Sequence, residues 1–361
     1  MPDLELRNIS FSEAIREGLD DAMGLDTNVI VIGEGVPDPK AIFNTTAGLR
    51  EKYGARRVFD MPLSENGLTG VCIGAALSGL RPVMIHQRID FALLAMDQLV
   101  NNAAKWHYMF NGKASVPLVV RVIVGRGWGQ GPQHSQSLQA MFSLVPGLKV
   151  VMPTTANDAK GMLISAIEDN NPVIFIEHRW LHQIKDNVPR TCYRVPLGQA
   201  KVLHEGEAVT VAAFSYMAVE SLIAAKALVS IMNISIEVLD MRSVSPLDVE
   251  SVLNSVRKTG RLIVADTAFR TGSIAGELIS QVAERAFSFL KSQPVRIASY
   301  DHPVPTSHFM IEYYYPGPKN IVDAVLDMMR IKKSSDYRKL CAMILRDGPH
   351  DTPNRGFTGP F

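Results

Sequence analysis

One carboxylate, Glu65, stands at the head of an apolar run of small residues between Met61 and Pro82. The run holds Gly67, Gly70, Gly74 and Gly79 together with Ala75, Ala76 and Ser78. So little side-chain bulk lets another backbone or a flat ligand approach closely. A carboxylate in that setting is poorly solvated, so its pKa is expected to rise and its proton to become useful near neutral pH. The residues alone leave a second reading open, a helix N-terminus capped by Ser64 or Asn66 in which the helix dipole favours Glu65.

Two further stretches could carry chemistry. Gly125-Arg-Gly-Trp-Gly-Gln-Gly131 follows an apolar strand and runs into Pro132-Gln-His134. It lacks the Gly-x-Gly-x-x-Gly pattern between strand and helix, and the chain has no P-loop, so it is a weak phosphate cradle. A plain surface loop and a ligand loop both fit its composition. Loops at the carboxyl ends of parallel strands host ligands, which favours the second. His134 then becomes an acid/base or substrate-anion candidate. Phe91, in His86-Gln-Arg-Ile-Asp-Phe91, is either core filling or a ring for stacking on a ligand. Asp97 to Lys105 reads on its own as a solvated helix.

The elements that must position these residues alternate. Ser10-Phe-Ser-Glu13 predicts a capping box opening a helix through Met23. Strands are expected at 29–32, 83–85, 117–124, 150–152 and 172–177, with helices near 92–108 and 156–169. Apolar strands separated by helices argue for a parallel sheet covered on both faces. Residues 178–206 read as irregular. The alternation restarts with strands at 209–214, 234–239, 261–265 and 295–298 and helices at 217–232, 247–258, 273–290 and 319–331. The fold class is therefore α/β with two doubly wound domains, residues 1–180 and 207–330, a linker at 181–206 and a tail at 331–361. Pro349, Pro353 and Pro360 argue against regular structure at the end of that tail.

Composition narrows the function. The 361 residues are 47% hydrophobic, and 37 basic residues nearly balance 36 acidic ones, so there is no electrostatic case for nucleic acid or a membrane surface. No apolar run reaches membrane-spanning length. The N-terminus does not read as a signal peptide. Cys72, Cys192 and Cys341 are odd in number and widely spaced, forming neither a metal motif nor a disulfide framework. A reducing compartment is expected: the cytoplasm, or the mitochondrial matrix for a processed eukaryotic chain.

Taken in order, the residues resemble a known family. Pro62-Leu-Ser-Glu65-x-Gly67-x-x-Gly70 and Gly79-Leu-Arg-Pro82 are similar to the beta subunit of thiamine-diphosphate-dependent 2-oxo acid dehydrogenases, in the transketolase-like superfamily. So are Phe91 with Met96-Asp-Gln98, Asn101 and Ala103-Ala-Lys105. The series continues through Gln133-His-Ser-Gln136, Pro146-Gly-Leu-Lys-Val-Val151, Asp158-Ala-Lys-Gly161 and Asp169-Asn-Asn-Pro172. It ends with Met241-Arg-Ser-Val-Ser-Pro246, Lys258-Thr-Gly-Arg261 and Asp301-x-Pro303-x-Pro305. The collinear set spans about residues 5–330.

The resemblance implies a pyrimidine-binding first domain and a transketolase C-terminal-like second one. Glu65 matches the carboxylate that hydrogen-bonds the cofactor's pyrimidine nitrogen and promotes deprotonation of the thiazolium carbon. Leu63 and Phe91 match cofactor-binding positions, Phe91 stacking on the pyrimidine. His134 matches a histidine near the substrate carboxylate and the acyl-transfer step. Asp169 and Asn171 lie where the family often binds potassium, mostly through backbone carbonyls. The diphosphate–magnesium signature, Gly-Asp-Gly followed by Asn-Asn, is missing here and belongs to an alpha subunit. The resemblance thus implies a heterotetramer of two alpha and two beta chains, a 2-oxo acid substrate and a lipoyl acyltransferase core as acyl acceptor. His86, Arg88, Ile89 and Trp128 depart from the pattern. A split transketolase-like or acyloin-forming enzyme subunit, and a non-catalytic assembly subunit, are the rival readings.

Overall fold

In the computed structural model, residues 5–38, 41–127 and 129–346 are described. Trp128 and the prolines Pro349, Pro353 and Pro360 lie outside them. In chain order the strands are β1 (Leu6–Ser10), β2 (Val29–Gly33), β3 (Val58–Phe59), β4 (Arg81–His86), β5 (Val119–Val124), β6 (Lys149–Val151) and β7 (Val173–His178). They continue as β8 (Lys185–Pro189), β9 (Lys201–His204), β10 (Thr210–Ala213), β11 (Glu237–Asp240), β12 (Ser243–Ser245), β13 (Leu262–Phe269) and β14 (Val295–Ser299).

The helix Phe11–Leu25 starts as its sequence dictates. Ser10 Oγ accepts from the Glu13 amide at 3.3 Å, and the Glu13 carboxylate accepts from the Ser10 amide at 2.8 Å, which satisfies two orphan donors of the first turn. Its buried face, with Phe11, Ile15 and Leu19, packs on the helix Ala156–Glu168. Strands β5 and β7 are buried along their whole length, as expected of central strands in a sheet covered on both faces.

The first sheet has seven strands in the order β12-β6-β7-β5-β4-β2-β3. All neighbours are parallel except β12, which runs antiparallel to β6. The second sheet has the order β14-β13-β10-β11-β9, parallel except for β9. Strand β12, from the second half of the chain, thus completes the first half's sheet.

Several local expectations change. Residues 178–206 are only partly irregular: β8 pairs with β1 and β9 joins the second sheet, while 190–200 carry no helix or strand. The single helix expected near 92–108 is broken into Ile89–Ala92, a 3-10 turn at Leu93–Ala95, a π turn at Gln98–Ala103 and Trp106–Met109. A π turn widens the helix by one residue, which re-aims the side chains that follow. The tail carries a helix, Ser335–Met343, capped by the Ser334 hydroxyl. The three cysteines are free. Among the described residues no helix is long and apolar enough to cross a membrane.

Candidate active site

Glu65 is the first residue of the helix Glu65–Leu77 and is 8% exposed. Neither Ser64 nor Asn66 acts as a side-chain cap: Ser64 precedes the helix without a capping bond. Thr69 Oγ1 instead donates to the Glu65 carbonyl at 2.6 Å, fixing the first turn. The helix packs against Leu93–Ala95 and Gln98–Ala103, the segment that follows Phe91. Its other side leaves Val71 exposed, and just before the helix Leu63 is 81% exposed.

A second carboxylate, overlooked in the sequence, belongs to the site. Glu34 follows Gly33 at the carboxyl end of β2. Burial, then the nearby charges of Glu65 and Asp60, raise its pKa, and its Oε1 is buried without a hydrogen-bond partner among the described residues. Asp60 holds the two loops together, its Oδ1 accepting from the Gly35 amide at 2.9 Å and the Met61 amide at 2.9 Å. The available signal was Gly33-Glu34-Gly35 at the end of an apolar strand, where α/β sheets bind ligands.

Phe91 lies half-buried in the helix Ile89–Ala92. His134 is exposed, and its ring meets Phe91 edge-on, with centroids 5.3 Å apart and planes at 88°. Asp90 fixes this pairing from beside Phe91, its Oδ1 accepting from Gln136 Nε2 at 2.8 Å and the Gln136 amide at 3.3 Å. Burial raises the Asp90 pKa against these bonds.

The described residues of the glycine loop are held by close packing and by hydrogen bonds. Gly125 has φ +91°, and a Cβ there would stand 2.6 Å from the His178 ring. A Cβ on Gly131 would stand 2.3 Å from Thr306 Oγ1. Arg126 donates to the Gln130 carbonyl at 2.8 Å and the Thr306 carbonyl at 3.1 Å, and also to the Pro305 carbonyl. The loop is thereby tied to the second domain. Arg88 is buried beneath it, donating to the Gly125 carbonyl at 2.8 Å and Gln130 Oε1 at 2.6 Å. Burial lowers the Arg88 pKa to about 10, so the guanidinium stays charged at neutral pH. Burial lowers His86 to about 4, which makes it neutral, and its Nε2 has no partner among the described residues.

Deeper in the sheet, Arg121 Nε contacts Glu177 Oε1 at 2.6 Å, and His182 Nε2 meets Glu177 Oε2 at 3.1 Å. Against the cost of burial, the Arg121 charge and the bonds from His182 and Arg121 hold Glu177 at about 2.

Asp169 and Asn171 are neighbours, Asp169 Oδ1 accepting from the Asn171 amide at 2.9 Å and Nδ2 at 3.1 Å. The other Asp169 oxygen pairs with Lys149. Arg81 donates to the carbonyls of Ile167 at 3.0 Å and Asp169 at 3.2 Å and to Asn170 Oδ1 at 2.8 Å. Two protein cations, Lys149 and Arg81, thus engage acceptors of this loop. Among the described residues no three His, Cys, Asp or Glu side chains gather to hold a metal ion.

Two α/β domains, with Glu34, Glu65, Phe91 and His134 around the first sheet's carboxyl end, define a transketolase-like protein. Residues 7–183 match the transketolase pyrimidine-binding domain family, and residues 198–321 match the transketolase C-terminal domain family. The chain is 41% identical over 335 residues to the acetoin:2,6-dichlorophenolindophenol oxidoreductase subunit beta of Bacillus subtilis, covering 90% of this chain and 98% of that one. It is 38% identical over 317 residues to the pyruvate dehydrogenase E1 component subunit beta of Rickettsia felis, covering 88% and 97%. A split-gene transketolase, described as an inactive beta4 tetramer, shares the fold with a TM-score of 0.73 at 22% identity, over 90% of this chain and all of that one. The chain belongs to the beta-subunit family of the thiamine-diphosphate-dependent 2-oxo acid dehydrogenases.

Proposed function

We propose that this chain, paired with an alpha subunit in a heterotetramer of two alpha and two beta chains, decarboxylates a 2-oxo acid oxidatively and passes the acyl group to the lipoyl group of an acyltransferase core. The observation that carries this reading is the edge-on Phe91–His134 contact at the strand end beside the Glu65 helix. It joins a ring suited to stacking on a pyrimidine to an exposed imidazole suited to acid/base work.

When bound, thiamine diphosphate supplies the electron sink for carbon–carbon cleavage. Glu65 would hold a proton at the pyrimidine nitrogen, and burial, then the charge of Glu65, raises the pKa of the nearby Glu34 carboxyl. Phe91 would stack on the pyrimidine, and Leu63 would cover it from the helix entrance. His134 would bind the substrate carboxylate and serve the transfer step. The diphosphate and magnesium fall to the partner, because this sequence lacks Gly-Asp-Gly; the exposed Leu63 and Val71 suit an apolar interface there. No role is given to potassium.

A second reading, cleavage or formation of an acyloin, is favoured by the departures at His86 and Arg88 and by the name of the Bacillus subtilis relative. The test is reconstitution. The purified chain alone should show no decarboxylation, and addition of an alpha chain bearing Gly-Asp-Gly and Asn-Asn should restore it with thiamine diphosphate and magnesium. Robust turnover by the isolated chain overturns the split site. Turnover of acetoin but of no 2-oxo acid decides for the second reading.

A further inference from the structure

The segment after residue 331 had no assigned task, and the matched C-terminal domain family ends at residue 321. In the structure this segment is anchored. Its helix Ser335–Met343 packs on the long helix Tyr216–Met232 of the second domain. Just beyond it, Arg346 forms an ion pair with Glu220, whose side chain is 1% exposed. The same guanidinium stands over the Tyr216 ring, 6.0 Å from its centroid. A buried carboxylate needs such a partner, because taking it out of water uncompensated is costly.

Tyr216 connects this anchor to the site. Its ring stacks on His178 with centroids 5.1 Å apart and planes at 23°, and it meets Trp180 edge-on at 5.1 Å. The His178 ring is the surface against which Gly125 opens the glycine loop. Trp180 Nε1 donates to the Arg126 carbonyl inside that loop at 2.7 Å. The turn that presents Tyr216 is strained: Ser215 has φ 50°. Backbone strain of this kind persists only where the surroundings enforce it. Arg346 thus reaches the loop that leads to His134 through two packed aromatic steps.

We propose that the C-terminal segment Ser335–Arg346 is a positioning element for the glycine loop, acting through the Arg346–Glu220 pair on Tyr216, His178 and Trp180. Arg346 is a positioning residue. It touches no reacting group and holds the rings on which Gly125 and Arg126 rest. The consequence for acyl transfer rests on the function proposed above; the consequence for loop order does not.

The experiment therefore has two arms, both on the complex with the alpha subunit. In the first, amide hydrogen exchange across residues 125–136 is compared among wild type, Arg346→Ala, Arg346→Lys and Val282→Ala. Val282 is fully buried in the helix Ile274–Ala286, outside this chain of contacts, so its truncation controls for general loss of stability. Arg346→Ala should speed exchange in 125–136 by about tenfold or more, whereas Arg346→Lys and Val282→Ala should leave it near wild type. Glu220→Gln provides the same comparison should Arg346→Ala fail to assemble. In the second arm, Arg346→Ala should slow acyl transfer with thiamine diphosphate affinity unchanged, and should add nothing to the effect of His134→Ala. Unchanged exchange in 125–136, or equal acceleration by Val282→Ala, overturns the proposal. Full additivity with His134→Ala also overturns it. A wild-type complex that uses no 2-oxo acid would sink the function reading, and the exchange arm would still decide this one.

Discussion

The carboxyl ends of the two sheets bury polar groups to different ends. Toward the first sheet's carboxyl end lie Glu34, His86, Arg121, Glu177 and His178, and four of them, Glu34, His86, Arg121 and His178, keep a buried side-chain atom without a partner among the described residues. In the second sheet the buried carboxylates Asp240 and Asp266 face the first domain. Thr154 Oγ1 donates to Asp240 Oδ1 at 2.9 Å, and Gln139 Nε2 donates to Asp266 Oδ1 at 2.6 Å. One sheet holds unsatisfied groups where a ligand would come, and the other holds them where a neighbouring domain already sits. Two sheets of the same architecture can thus differ in role through what their strand ends face.

The largest effect that tests this contrast lies at Glu65. Glu65→Gln should leave assembly intact and slow proton exchange at the thiazolium carbon of the bound cofactor by about a hundredfold to ten-thousandfold. Exchange at the normal rate would make Glu65 a helix-end residue and remove the functional half of the comparison.

Next comes the Arg121–Glu177 pair, buried on both sides. Arg121→Ala strands the Glu177 charge and should cost about 3–5 kcal/mol in urea unfolding. A cost under about 1 kcal/mol, the value typical of an exposed pair, would show that water reaches this end of the sheet.

The smallest effect is a pH dependence at the seam. Burial raises Asp240 to about 7, with Asp158's charge adding to it, and burial raises Asp266 to about 6. The folded state therefore holds protons that the unfolded chain releases near the ordinary carboxylate value. The resulting stabilisation is complete below that value and is lost as pH rises through about 6 and 7. The variant Asp240→Asn/Asp266→Asn should flatten the decline of the thermal midpoint between about pH 5 and 8. An unchanged slope would place the titration elsewhere.

Much of the fold was legible because its signals are local. The Ser10–Glu13 capping box and the apolar runs of β5 and β7 each declare themselves within a few residues. Strand β12 did not, since three residues carry no periodicity and their partner β6 lies far back in the chain. At the site, Glu65, Phe91 and His134 stood out by residue type and setting, the resemblance gave them roles, and the structure pairs the last two. Glu34 was missed because a lone carboxylate between glycines looks like any turn, and only the folded loops bring it near Glu65. The loop at Asp169 was named as a cation site through the resemblance alone, and nothing local tells that Arg81, from another strand, donates to its carbonyls.

The position of β12 has a consequence for biosynthesis. Until Ser243–Ser245 leave the ribosome, β6 is the open edge of a nearly finished sheet. At about 5–20 residues per second, several seconds pass between the emergence of the two strands. An unpaired strand edge is a template for another nascent chain on the same message. Lys149, on β6 itself, places a charge on that edge, the kind of residue that discourages such pairing while the rest of the polypeptide is still being made.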